Sequence, residues 1–321
     1  MNIRKSTVAA IIASVAIASF AGVRELSERP SNARPVTYEA IETLKHSLIH
    51  RGDGVGRPDN TMEAMLYTWG KGYTPECDIR FTKDKRVVAF HDGTLKGREI
   101  SEWPWSELRE EDVGSNRSKK FATCRAPLWE TIFTAMEENP ARRIHIDWKD
   151  VPPEKVAEMV KAHGLEKQCW FITKSYNAIK RYKAALPGGQ TLNWMDLGIW
   201  DRMDFAKPGE TDKAEKSVMQ LFEKAAEEGF RGIDIVQLHC QLRYDEDGKP
   251  TFCPRQETLK RCAKRLHAAG VEASVFVWNT EANRPETYLA LWELGFDSFG
   301  TDYPEAMYKA IEILRGRVTS K

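Results

Sequence analysis

From Ser47 onward, short runs rich in β-branched and aromatic residues alternate with amphipathic segments of helical period, and this alternation limits the fold more than any other feature. The strand candidates are Ser47–Arg51, Pro75–Phe81, Arg143–Lys149, Gln168–Thr173, Thr191–Met195, Gly232–Leu238, Val271–Trp278 and Phe296–Thr301. Most are followed by a helix candidate, the last being Pro304–Leu314 with proline in its first turn. Eight such units in one α/β domain are the signature of a (β/α)8 TIM barrel, and 321 residues suit that size. The competing arrangement is an open doubly wound sheet. Its dinucleotide fingerprint is absent, because Gly52, Gly54 and Gly56 have neither the spacing nor the strand–helix context.

One stretch breaks the alternation. Pro75–Phe81 and Val87–His91 both read as strands, and only Thr82–Arg86 lies between them. A parallel crossover needs about a dozen residues, so the two form an antiparallel hairpin extending strand 2. With the turn centred between Asp84 and Lys85, Asp78 faces His91. Ahead of the hairpin, Asn60 caps a helix with Glu63 three residues on, and Met62, Met65, Leu66 and Trp69 give that helix an apolar face. Gly93–Lys120 reads as a polar, irregular insertion.

The N-terminus has Arg4 and Lys5, an apolar run from Val8 to Val23, and small residues for cleavage. This is the pattern of a signal peptide over 1–21, and the run falls short of the ~20 residues a spanning helix needs. The expectation is an exported protein, periplasmic or secreted, with no stable membrane span after cleavage. A linker and lead-in helix occupy 22–45, and the barrel domain 46–318. The formal net charge is +1 with no basic stripe, which argues against a nucleic-acid partner. Six cysteines in an exported chain permit disulfides; Cys240 with Cys253, across the loop from Gln241 to Phe252, is the expected bridge.

Barrel chemistry gathers at the C-terminal ends of the strands. His50 and Arg51 close the first, Glu76 and Asp78 lie on the second, Asp147 and Lys149 close the third, and Trp278 ends the seventh. Residues two apart on a strand share a face, so Glu76 with Asp78 and Asp147 with Lys149 point together. Three carboxylates form an all-oxygen site suited to Mg2+ or Ca2+. His50 and His91 suit a general acid and a general base, since imidazole as a group titrates near neutral pH. Arg51 and Lys149 suit phosphate oxygens, with Trp278 as a pocket wall. His145 lies one step deeper and reads as a core histidine; His239 ends a strand and is left open; Asp302 reads as a brace for the last helix.

These residues resemble the glycerophosphodiester phosphodiesterase family, whose hallmark is His-Arg, then Glu-x-Asp, then His-Asp. Here those are His50-Arg51, Glu76-x-Asp78 and His91-Asp92. PDNT at Pro58–Thr61, TKDKRVVAFHD at Thr82–Asp92, APLWETI at Ala126–Ile132, IDWK at Ile146–Lys149 and GTDYP at Gly300–Pro304 are similar to further family segments. The resemblance implies a TIM barrel that hydrolyses a small-molecule glycerophosphodiester to glycerol 3-phosphate and an alcohol. It implies metal ligands at Glu76, Asp78 and 147, and an acid–base pair at His50 and His91. Departures are Asp147 and Asp59 where the family usually has Glu, Asn279-Thr280 after Trp278, and the insertion, which can form a lid over the alcohol side. The alternatives are a phospholipase-D-like or lysophospholipid-cleaving phosphodiesterase on the same barrel, and a non-catalytic phosphate-binding barrel.

Overall fold

In a computed structural model, residues 33–195, 207 and 209–318 are described. The expected leader and most of the linker lie outside the described residues. Among the described residues, no helix is long and apolar enough to cross a membrane.

The barrel strands are β1 (Leu48–Ile49), β2 (Thr74–Phe81), β6 (Ile144–Trp148), β7 (Cys169–Thr173), β8 (Gln190–Met195), β9 (Ile235–Tyr244), β11 (Glu272–Val277) and β12 (Ser298–Thr301). Each pairs in parallel with the next, and β1 pairs with both β12 and β2. That last pairing closes the sheet, so the open doubly wound alternative is excluded.

Strand alternation decides what faces the axis. On β2, Cys77 and Ile79 point outward into an apolar layer shared with Trp129, Phe133 and Val156 of the surrounding helices. Glu76 and Asp78 therefore point inward. On β6, Ile144 and Ile146 join the same outer layer, which turns His145 and Asp147 to the axis. A smaller apolar plug of Leu48, Trp170, Ile172, Leu192, Ile235 and Phe276 fills the barrel below the mouth. The helices begin where the chain marks them: Thr61 and Ser175 cap two, and Pro153, Pro285 and Pro304 occupy first turns.

The hairpin forms with β3 (Val87–Ala89) antiparallel to β2, for a reason visible in the lengths. Two-residue β1 covers only Thr74 and Pro75, so the upper part of β2 offers an unpaired edge that β3 takes up. Its register differs from expectation by one residue. Ile79 opposes Ala89 and Phe81 opposes Val87, which centres the turn on Asp84. Lys85 adopts φ 60°, giving a three-residue loop with a left-handed third position. Asp78 therefore faces Phe90, whose N–H reaches the Asp78 carbonyl at 3.3 Å, and His91 lies just beyond the ladder.

Other expectations change in detail. The helix spans Met62–Gly70 with Thr61, not Asn60, as its cap, and Leu66 is exposed. The stretch after β9 is no plain loop: β9 runs on to Tyr244 and pairs antiparallel with β10 (Pro250–Cys253). That ladder sets Cys253 opposite Gln241 rather than Cys240, and the expected Cys240–Cys253 disulfide does not form; all six cysteines are buried thiols. The insertion is less irregular than its composition suggested. It holds a small hairpin, β4 (Thr94–Leu95) with β5 (Arg98–Glu99), and Ile100, Trp103 and Leu108 bury themselves against Val88.

Candidate active site

All eight residues singled out from sequence come to the barrel mouth. Ligand oxygens of Glu76, Asp78 and Asp147 lie within 4.8 Å of one another, and all three side chains are buried. The β2–β6 register places Asp78 directly beside Asp147. Glu76 Oε2 accepts the Arg51 N–H at 2.7 Å, while Glu76 Oε1 and Asp147 Oδ1 accept no hydrogen bond. Lys149 Nζ lies 2.9 Å from Asp78 Oδ1 and 2.5 Å from Asp147 Oδ2.

Burial, with Asp78 and Asp147 beside it, pushes Glu76 well above the ordinary carboxyl range. Burial likewise pushes Asp147 up to about 7, against the pull of Lys149 and with the help of Asp78. Asp78 goes the other way: burial opposes its charge, but Lys149, then His91 and Asn60, bring it below the usual value. Buried carboxylate oxygens without donors are costly unless a cation answers them. An all-oxygen set of three carboxylates fits a hard divalent ion such as Mg2+ or Ca2+.

The two histidines flank this cluster. His50 follows β1 in a tight turn in which Arg51 has φ 50°. His50 Nδ1 donates to Asp302 Oδ1 at 2.7 Å, which assigns the ring proton to Nδ1 and the lone pair to Nε2. Its ring meets Phe276 and Trp278 edge-on at 5.5 and 5.6 Å. Burial raises Asp302, but its bond to His50 and the charges around it hold it below the usual carboxylate range. Asp302 thus holds His50, and among the described residues no side chain caps the last helix, which corrects the reading of Asp302 as a brace. Gly54 explains the glycine-rich loop: a Cβ there would lie 2.1 Å from the Asp302 carbonyl oxygen, so only glycine lets the chain rest on that residue.

His91 arrives from the hairpin. Its Nε2 accepts from Arg51 Nη2 at 3.0 Å, so Nδ1 carries the proton and donates to Asp92 Oδ1 at 2.7 Å. Burial lowers its pKa; Asp78 and Asp92 pull upward, and Arg51 and Lys149 push further down. Arg51 Nη1 in turn reaches Asp59 Oδ2 at 3.0 Å. Arg117, from the insertion, donates to the other Asp59 oxygen and to the Gly54 carbonyl. A cavity of about 360 Å3 beside His91 is walled by Arg51, Asp59 and Asp92 from the barrel and by Lys96, Asp112 and Asn116 from the insertion. At the axis a narrower space of about 20 Å3 meets His50, Glu76, Asp147, His239 and Trp278. Trp278 Nε1 donates to His239 Nδ1 at 2.8 Å, which puts His239 in the pocket wall.

Sequence reasoning missed Asn60. Its φ of 58° takes it out of the helix, and its amide grips Asp78 from both sides: Nδ2 donates to Oδ2 at 2.7 Å, and Oδ1 accepts the backbone N–H at 2.8 Å. The PDNT motif carried that signal, but an asparagine before a helix reads first as a cap.

The model of the Glycerophosphoryl diester phosphodiesterase family matches residues 50–306, from His50 into the last helix. The chain belongs to this family. Among its curated relatives, lysophospholipase D GDPD1 of Rattus norvegicus is 33% identical over 138 residues, covering 38% of this chain and 43% of the rat protein. Glycerophosphodiester phosphodiesterase of Caldanaerobacter subterraneus subsp. tengcongensis is 24% identical over 152 residues, covering 44% and 62%. The matches thus span less than two thirds of these relatives' lengths. Among solved structures, an Oleispira antarctica phosphodiesterase in complex with the product sn-glycerol-3-phosphate superposes with a TM-score of 0.58 at 19% identity, covering 85% of this chain and 99% of that one. This likeness shows that the two chains share the barrel fold.

Proposed function

We propose that this protein hydrolyses glycerophosphodiesters to glycerol 3-phosphate and an alcohol, with a divalent cation, Mg2+ or Ca2+, held by Glu76, Asp78 and Asp147. One observation carries the reading: a buried triad of carboxylates with unanswered oxygens, between two imidazoles whose outer nitrogens are each held by an aspartate. When bound, the cation supplies Lewis-acid polarisation of the phosphoryl oxygens and offsets negative charge.

The chain's own groups supply the rest. Asp302 holds His50 so that Nε2 faces the site, and Asp92 does the same for His91. One imidazole takes the proton of the attacking oxygen as the new bond to phosphorus forms. The other returns a proton to the departing alcohol oxygen as its bond to phosphorus breaks. Arg51 and Lys149 lie at the cluster as fixed donors for the phosphate oxygens, and transferring Arg51 from His91 to a phosphate releases Nε2. The aromatic wall of Phe276 and Trp278 gives the glycerol backbone an apolar surface away from water.

A second reading, lysophospholipid cleavage, is favoured by the name of the rat relative. Assaying glycerophosphocholine against lysophosphatidylcholine, with and without chelator, separates the two. Full activity of both His50→Ala and His91→Ala would remove the mechanism. We further propose export to the periplasm or the medium, from the charged start and apolar run of the sequence. Fractionation of a culture expressing the full chain tests that.

A further inference from the structure

His91 arrives two residues past the end of its strand, β3. The last rung of the hairpin joins Phe90 to Asp78, so no ladder bond fixes the main chain at 91 from β2. Yet a general acid or base must sit within a fraction of an ångström of its working position, and a displacement of 1 Å costs about a hundredfold in rate.

Arg80 meets this need. It follows Glu76 and Asp78 at the same two-residue spacing on β2. Its Nε and Nη2 both donate to the main-chain carbonyl oxygen of His91, at 2.9 and 2.7 Å. Its Nη1 reaches Asp150 Oδ2 at 3.2 Å, and Asp150 Oδ1 accepts the Phe81 N–H at 2.9 Å. Asp150 follows Lys149 at the end of β6. One guanidinium therefore ties together the three segments that bring Glu76 and Asp78, His91, and Asp147 and Lys149 to the mouth. Two N–H groups converging on one oxygen need a planar fork, which lysine lacks.

We propose that Arg80, held by Asp150, is a positioning residue for the reaction: it fixes His91 through its carbonyl oxygen and touches no substrate. The inference rests on the hydrolase reading above. In the full chain with saturating Mg2+ and glycerophosphocholine, Arg80→Ala lowers kcat by about ten- to a hundredfold, as loss of an outer support typically does. KM and the Mg2+ activation midpoint stay near wild type, and millimolar guanidinium restores part of kcat. Arg80→Lys recovers little, and Asp150→Asn gives a smaller loss of the same kind. A wild-type kcat in Arg80→Ala, or a loss confined to KM, overturns the proposal.

A second measurement does not depend on turnover. In protein labelled with 15N-histidine, the His91 ring signals, identified by their disappearance in His91→Gln, shift or broaden in Arg80→Ala while those of the other histidines hold. Unmoved His91 signals overturn the proposal. If Arg80→Ala does not fold, Arg80→Lys carries both comparisons, and wild-type kcat with wild-type His91 signals overturns it there. If the wild-type chain cleaves no diester, the hydrolase reading falls, while the ring signals still decide whether Arg80 fixes His91.

Discussion

Asn60 holds Asp78 by both ends of one amide, donating to its carboxylate at 2.7 Å and accepting its backbone N–H at 2.8 Å. Neither group is free to turn without breaking the other bond. Asn60→Asp keeps the shape and tolerates the left-handed backbone, but replaces the donor with a second acceptor. The expected result is a ten- to hundredfold weaker metal activation midpoint, roughly the usual cost of losing an outer support to a ligand. Titrating activity with Mg2+ measures it, and kcat at saturating metal recovers most of its value.

Asp302 and His50 form the matching device on the opposite side. Asp302→Asn removes the carboxylate that orients the ring. Expected is a fall in kcat of about a hundredfold or more, the scale of a lost acid or base. KM should change little. Steady-state kinetics check this, and full kcat in the variant would contradict the assigned role.

Removing metal has a sign that can be read without turnover. Burial raises Glu76 and Asp147, so in the absence of a cation these two carboxylates oppose folding at neutral pH. Thermal midpoints should therefore rise with added Mg2+ or Ca2+, since a ligand at a hundred times its Kd contributes about 2.7 kcal/mol. Glu76→Gln should melt higher than wild type without metal, lose the metal response and lose activity. A wild-type response to metal in that variant would sever the triad from the ion.

His145 supplies a pH dependence of stability. It is fully buried, with Nε2 2.9 Å from the His46 carbonyl oxygen, and burial pushes its pKa down to about 3. The unfolded chain takes up that proton near 6.5, the folded one does not. The contribution is therefore intact above about pH 6.5 and is lost as pH falls towards 3, at roughly 1.4 kcal/mol per pH unit. Urea unfolding at several pH values should show a shallower slope for His145→Asn in that window. Equal slopes in the two proteins would assign the acid sensitivity elsewhere.

Much of this site is legible in the sequence because strand period alone fixes it. Glu76 with Asp78, and Asp147 with Lys149, share faces whatever the strands pair with, and the brevity of Thr82–Arg86 forces a hairpin. The register within that hairpin was not legible. It turns on Lys85 accepting a positive φ, which β-turn composition does not announce for lysine. Asn60 and Asp302 were misread for a different reason: each has a plausible local job, as cap or brace, and the actual partner lies elsewhere in the chain. The extension of β9 was hidden because Gln241–Tyr244 mixes polar residues into a strand that pairs beyond the barrel proper.

The bond between His50 and Asp302 spans 252 positions, from the first barrel strand to the end of the last. Those strands become neighbours only at the seam where the sheet meets itself. A partly assembled barrel can thus gather its carboxylates on β2 and β6 while its first imidazole is still unaligned. On the proposed mechanism, the proton-transfer geometry would therefore depend on the closed ring.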